Sequence, residues 1–171
     1  FELLLQGIAR TSASIKDAGV IPTPAIALLT KQLDYSGGIM ISASHNPYED
    51  NGIKVFASDG TKLNDVSETA IEDRVFQLIG TTSREPTDLI PQRNVGAENG
   101  TGWPERYQEL LCAHFPPGPW LSGLRIVVDC ANGAMSRVAP ALLSGLGADV
   151  EVTNASPNGT NINASCGAVH L

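Results

Sequence analysis

The chain has 171 residues, 42% hydrophobic, 17% charged and 5% aromatic, the make-up of an ordinary globular protein able to bury a core. A formal net charge of −7 and a pI near 4.8 argue against nucleic acid and anionic membranes as partners, because both call for a basic face. Cys112, Cys130 and Cys166 lie far apart without a CxxC pair, which argues against a disulfide framework or structural zinc and fits a reducing cytoplasm.

No apolar run approaches the roughly 20 residues of a membrane span, and no signal peptide opens the chain. The first element predicted is a helix over about residues 1–14. It starts at Phe1 without an initial Met or a capping residue, so a preceding segment is expected. A strand over 17–21 follows, then a helix over 23–33 with Pro24 in its first turn. Thr23 sits at that helix start, where its simplest task is capping. Strands are predicted over 38–42 and 52–57, and a helix runs from Asn64 to about Ile79. Residues 80–102, rich in Thr, Gly, Pro and Asn, read as a connecting loop. A helix over 103–115 then ends at Pro116-Pro117-Gly118-Pro119. A strand over 124–130, a helix over 135–145 and a strand over 149–153 make one βαβ unit, which by itself leaves apolar strand faces uncovered. The alternation gives an α/β class with a mixed or parallel sheet sandwiched by helices. It also divides the chain into residues 1–102 and an incomplete second α/β part over 103–171.

One stretch carries chemistry. Gly37-Gly38 break the preceding segment, Ile39-Met40-Ile41 form a short strand, and Asn46-Pro47 stop it, which leaves Ser44 at the strand's exit. Ligands of open α/β sheets bind outside such carboxyl ends. Tyr48-Glu49-Asp50-Asn51-Gly52 then returns the chain to Ile53-Lys54-Val55-Phe56. Alternation places Lys54 and Phe56 on one face and Ile53 and Val55 on the other, so a cation on a stiff element comes back toward the serine loop. Asn46 is read as bonding backbone groups of the loop, and Asn51-Gly52 as the turn into the next strand. Asp129 with Asn132-Gly133 reads as a tight turn rather than a metal site. His114, His170 and Cys166 have no ligand spacing and are ordinary residues.

Ser42-Ala43-Ser44-His45-Asn46-Pro47, Asn51-Gly52-Ile53-Lys54 and Asp59-Gly60-Thr61-Lys62-Leu63 together resemble the phosphoserine loop of the α-D-phosphohexomutases. Gly19-Val20-Ile21-Pro22-Thr23-Pro24 upstream and Val127-Val128-Asp129-Cys130-Ala131-Asn132-Gly133-Ala134 downstream are similar to segments of that family. Pro157-Asn158-Gly159-Thr160-Asn161-Ile162-Asn163 with Cys166-Gly167 is most similar to its phosphoglucosamine mutase branch.

The resemblance implies an intramolecular phosphotransferase that interconverts glucosamine 6-phosphate and glucosamine 1-phosphate, on the route to UDP-N-acetylglucosamine. Ser44 would carry the phosphoryl group, glucosamine 1,6-bisphosphate would be intermediate and activator, and Lys54 would shuttle the proton. His45 would contact a phosphate oxygen or fix the loop, its side chain pointing away from that of Ser44. One Mg2+ would be held by the Ser44 phosphate and three aspartates of an Asp-Gly-Asp-Gly-Asp-Arg loop that does not occur in this sequence. The implied partner is a phosphosugar, and a homodimer is the assembly it admits. Two alternatives stay open at this point: a phosphoglucomutase or phosphomannomutase of the same superfamily, and a non-catalytic fragment that lacks the metal loop. No GxSxG, GxxxxGK[ST] or GxGxxG motif competes.

Overall fold

The computed structural model describes residues 1–43, 46–81, 98–99 and 102–168. In chain order these form α1 (Glu2–Ile8), β1 (Lys16–Asp17), α2 (Thr23–Gln32), β2 (Gly37–Ile41), β3 (Ile53–Ala57), α3 (Asp65–Thr81) and β4 (Glu98–Asn99). They continue as α4 (Trp103–Cys112), β5 (Arg125–Asp129), a 3-10 turn (Ala134–Arg137), α5 (Ala139–Gly145) and β6 (Asp149–Thr153). The class is α/β, as expected. The strands pair two by two: β2 with β3 antiparallel, β1 with β4 and β5 with β6 parallel. Among the described residues no pair is joined to another pair.

The helix expected over 103–115 ends at Cys112, the loop expected over 80–102 carries the short strand β4, and three further elements are shorter or broken for a local reason. The first helix stops at Ile8, because the Thr11 hydroxyl donates to the Ile8 carbonyl and the Ala13 N–H donates to Thr11 Oγ1, a local alternative to the helix ladder. The strand expected over 17–21 spans only Lys16–Asp17, since Asp17 Oδ1 accepts the Gly19 N–H at 2.8 Å and turns the chain. The helix expected over 135–145 is split before Pro140, whose missing N–H and ring forbid a continuous ladder through Val138.

The core is small and crosses the chain. Ala25 and Leu29 on one side of α2, with Ile21 just ahead of it, pack with Tyr107 of α4 and Val138, and all five are buried. Spacing of i and i+4 puts Ala25 and Leu29 on one stripe, so α2 presents them together. Helix α2 also supports the β2–β3 hairpin. A Cβ on Gly38 would collide with Thr30 Oγ1 and lie 2.8 Å from Ile26 Cγ2, so only glycine lets β2 sit this close to α2. The opposite face of the hairpin is open, with Ile39 and Ile53 exposed. In the βαβ unit Val127, Leu124 and Val152 are exposed, in line with the uncovered faces expected of it.

Candidate active site at the exit of strand β2

The register of the hairpin fixes what surrounds the serine loop. Ile41 pairs with Ile53 and Met40 with Lys54, and the Ser42 N–H donates to the Gly52 carbonyl at 2.9 Å to close the neck. Lys54 therefore lies on the face shared with Met40, one step inside that neck, as alternation predicts. Its side chain is half-buried, and its ammonium has no ion-pair partner among the described residues. Gly52 makes the neck tight. A Cβ there would stand 2.8 Å from the Ser42 carbonyl oxygen, so the two limbs of the loop are in direct backbone contact.

Beyond the neck, the Asn46 carboxamide donates to Asp50 Oδ2 at 2.9 Å and the Asp50 N–H donates to the Pro47 carbonyl at 3.0 Å. This corrects the reading of Asn46: its side chain braces the loop through a carboxylate rather than through backbone. The ion–dipole bond is the stronger choice, because a charged acceptor strengthens the N–H bond. Asn51 Nδ2 donates to the Glu49 carbonyl at 3.1 Å, and Asn51-Gly52 makes the expected turn into β3. Ser44 and His45 themselves lie outside the described residues. Thr23 does not cap α2: Pro22 occupies the cap position and no side-chain cap bond forms.

The loop borders a wide, open cleft of about 1340 Å³. Ser42, Ala43 and Asn46 line one wall, and Asn132, Ser136 and Arg137 of the downstream part line another. The Asp129 turn stands beside this second wall and bears out its reading as a turn. Asp129 Oδ1 accepts the Ala131 N–H at 2.8 Å and the Asn154 carboxamide at 3.1 Å, while Oδ2 accepts the Gly167 N–H at 2.8 Å. The Ala131 and Gly167 N–H groups, with Asn154 adding to them, hold the Asp129 carboxyl below its ordinary pKa. Asn132 was missed as a structural centre by sequence reasoning. Its Oδ1 accepts the Ser156 N–H, and its Nδ2 donates to the Asn161 carbonyl and meets Cys166 Sγ. The density of asparagines over 154–163 was the signal available for it.

Among the described residues no group of three His, Cys, Asp or Glu side chains could hold a metal ion, and no helix is long and apolar enough to cross a membrane. His114 Nδ1 lies 2.7 Å from the Leu110 carbonyl within its own helix region, an ordinary role.

Residues 1–80 match the family model described as phosphoglucomutase/phosphomannomutase, alpha/beta/alpha domain I. The phosphoglucosamine mutase of Alkalilimnicola ehrlichii is 46% identical over 168 residues, covering 98% of this chain and 36% of that protein. That of Rhizobium etli is 49% identical over 150 residues, covering 88% of this chain and 32% of that protein. The chain thus spans about a third of the length of the curated relatives it matches. Among solved structures, a Thermus thermophilus protein described as a phosphomannomutase superposes with a TM-score of 0.58 at 26% identity, over 83% of this chain and 30% of that one. The N-acetylphosphoglucosamine mutase of Aspergillus fumigatus, at 19% identity and a TM-score of 0.51, shares the fold over 99% of this chain and 47% of its own. With domain I matched over residues 1–80 and the similarity to phosphoglucosamine mutases continuing along nearly the whole chain, the chain is similar to the α-D-phosphohexomutases over almost all of its length.

Proposed function

We propose that the chain supplies the phosphoryl-carrying loop of a phosphoglucosamine mutase, which interconverts glucosamine 6-phosphate and glucosamine 1-phosphate. The observation that carries this reading is 42–49% identity to phosphoglucosamine mutases along both the serine loop and the downstream βαβ unit. We read residues 1–102 as domain I and residues 103–171 as a bridging helix and the start of a second domain.

Phospho-Ser44 gives its phosphoryl group to the free hydroxyl of the sugar monophosphate: the bond from phosphorus to Ser44 Oγ breaks and one to the sugar oxygen forms. Lys54 is the proton shuttle between the two oxygens, which makes the serine a better leaving group and, on return, a better nucleophile. The bisphosphorylated sugar turns over and its other phosphate returns to Ser44. His45 contacts a phosphate oxygen or fixes the loop. The hairpin supports this assignment of Lys54, because a lysine on a paired strand is held more firmly than one in a loop.

The magnesium ion implied by the family would bind through the Ser44 phosphate and offset charge on the transferring oxygens. Among the described residues no carboxylate cluster completes the rest of its coordination shell. The reading implies a phosphosugar as partner and a cytoplasmic setting. The test is a coupled mutase assay on the complete gene product with glucosamine 6-phosphate against glucose and mannose phosphates. Turnover fastest with the amino sugar supports it, and a clear preference for glucose or mannose phosphate overturns it.

A further inference from the structure

The chain contains four Asn-Gly pairs, at 51–52, 99–100, 132–133 and 158–159. Asparagine followed by glycine is chemically fragile, because no Cβ hinders the next amide nitrogen from reaching the side-chain carbonyl carbon. Folded structure decides which pair reacts. Three of the pairs can be compared atom by atom.

Asn132 is held in place: Ser156 N–H donates to its Oδ1 at 3.1 Å, its Nδ2 donates to the Asn161 carbonyl, and the Gly133 N–H is engaged with the Cys130 carbonyl at 2.8 Å. Asn158 is turned forward: its Oδ1 accepts the N–H groups of Thr160 and Asn161, both at 3.0 Å, and the Thr160 hydroxyl at 3.1 Å. Asn51 differs from both. It is exposed, its one side-chain bond is from Nδ2 to the Glu49 carbonyl, and neither its Oδ1 nor the Gly52 N–H has a partner among the described residues.

We propose that Asn51 is a site of spontaneous, backbone-assisted deamidation that ages the neck of the serine loop. The Gly52 amide nitrogen, giving up its proton to hydroxide, bonds to Asn51 Cγ. The Cγ–Nδ2 bond breaks and ammonia leaves, which closes a succinimide. Water then opens the ring at one carbonyl or the other, leaving aspartate or isoaspartate. The isoaspartate form inserts a methylene into the main chain immediately before Gly52, where the backbone already stands against the Ser42 carbonyl. It also adds a carboxylate beside a loop that must hold a phosphate. That consequence for activity rests on the phosphoserine reading of Ser44, whereas the reaction itself does not.

The experiment incubates the complete gene product, folded, in mildly alkaline buffer and maps deamidation and isoaspartate by peptide mass analysis, with a urea-unfolded sample alongside. Asn51 is expected to convert several-fold faster than Asn132 and Asn158 in the folded protein, with the three rates converging in urea. Equal rates in the folded protein, or an intact Asn51, overturn the proposal. In the same samples, phosphoryl uptake falls in step with isoaspartate at position 51 and keeps its starting level in Asn51→Gln, whose longer side chain closes a less favourable ring. Undiminished uptake in a sample rich in isoaspartate overturns the consequence. A fresh sample with no uptake at Ser44 overturns the phosphoserine reading instead, and the mapping result still decides the modification.

Discussion

Two strand exits line the same cleft and are built in opposite ways. At the exit of β5, Ala131 and Asn132 adopt left-handed backbone conformations, with φ of 49° and 51°, which is costly for residues other than glycine. That cost is offset by a dense set of bonds, centred on Asp129 and Asn132, which reach forward to residues 154–167. Among the described residues at the exit of β2, the loop is closed by its neck and the Asn46–Asp50 brace, and its other bonds, from Asn46 to Ala43, Asp50 to Pro47 and Asn51 to Glu49, are local. The contrast teaches where chemistry can sit. A turn whose polar groups are all engaged holds the fold and has little left to offer a ligand. A loop pinned at its base leaves side chains for a substrate while its strands stay fixed.

If that contrast is right, substitutions at the two exits should separate chemistry from stability. The largest effect is expected for Lys54→Met in the complete protein, which slows phosphoryl transfer by about 10²–10⁴-fold, the usual yield of a positioned acid or base, with an unchanged melting temperature. A transfer rate near wild type returns Lys54 to the surface. Next, Asn132→Ala removes the part-buried bonds to the Asn161 carbonyl and Cys166 Sγ and puts alanine at a left-handed position that asparagine tolerates better, at an expected cost of roughly 1–3 kcal/mol by urea unfolding, whereas exposed Asn46→Ala costs under about 0.5 kcal/mol. Equal costs at the two positions would erase the distinction.

A pH series gives a smaller effect of defined sign. The folded pKa of Asp129 is depressed, so its contribution is present above the unfolded carboxylate pKa and is lost as pH falls through the folded value. Asp129→Asn should therefore flatten the acid limb of the stability curve, and an unchanged limb would mean the turn does not depend on the charge. The smallest effect concerns thiol reactivity. Burial, then the charge of Asp129, pushes the Cys130 thiol up, so the half-buried Cys112 is expected to alkylate first in the native protein. Alkylation of Cys130 ahead of Cys112 would show that the β5 exit opens readily.

Much of this organisation was legible in the sequence because it is written in local signals. Pro24 starts α2, Gly37-Gly38 and Asn51-Gly52 bound the hairpin, and alternation alone put Lys54 with Phe56 on one face. The family resemblance carried Ser44, which no periodicity could have singled out. What escaped was decided by contacts between distant residues or by side chains competing with the backbone. Thr11 and Asp17 ended elements that apolar spacing would have continued. The partner of Asn46 is a carboxylate four residues on, and spacing does not distinguish that from a backbone bond. The core joining Ile21 to Tyr107 and Val138 depends on how α2 meets α4, which no sequence window contains.

On the proposed function the β2 exit loop carries the phosphoryl group on Ser44, and locating that group decides the matter. The complete gene product would be incubated with a labelled hexose bisphosphate, digested, and the label assigned by peptide mass mapping, beside Ser44→Ala. Label is expected on Ser44, with none taken up by the variant. Label on another residue, or full uptake by Ser44→Ala, would contradict it.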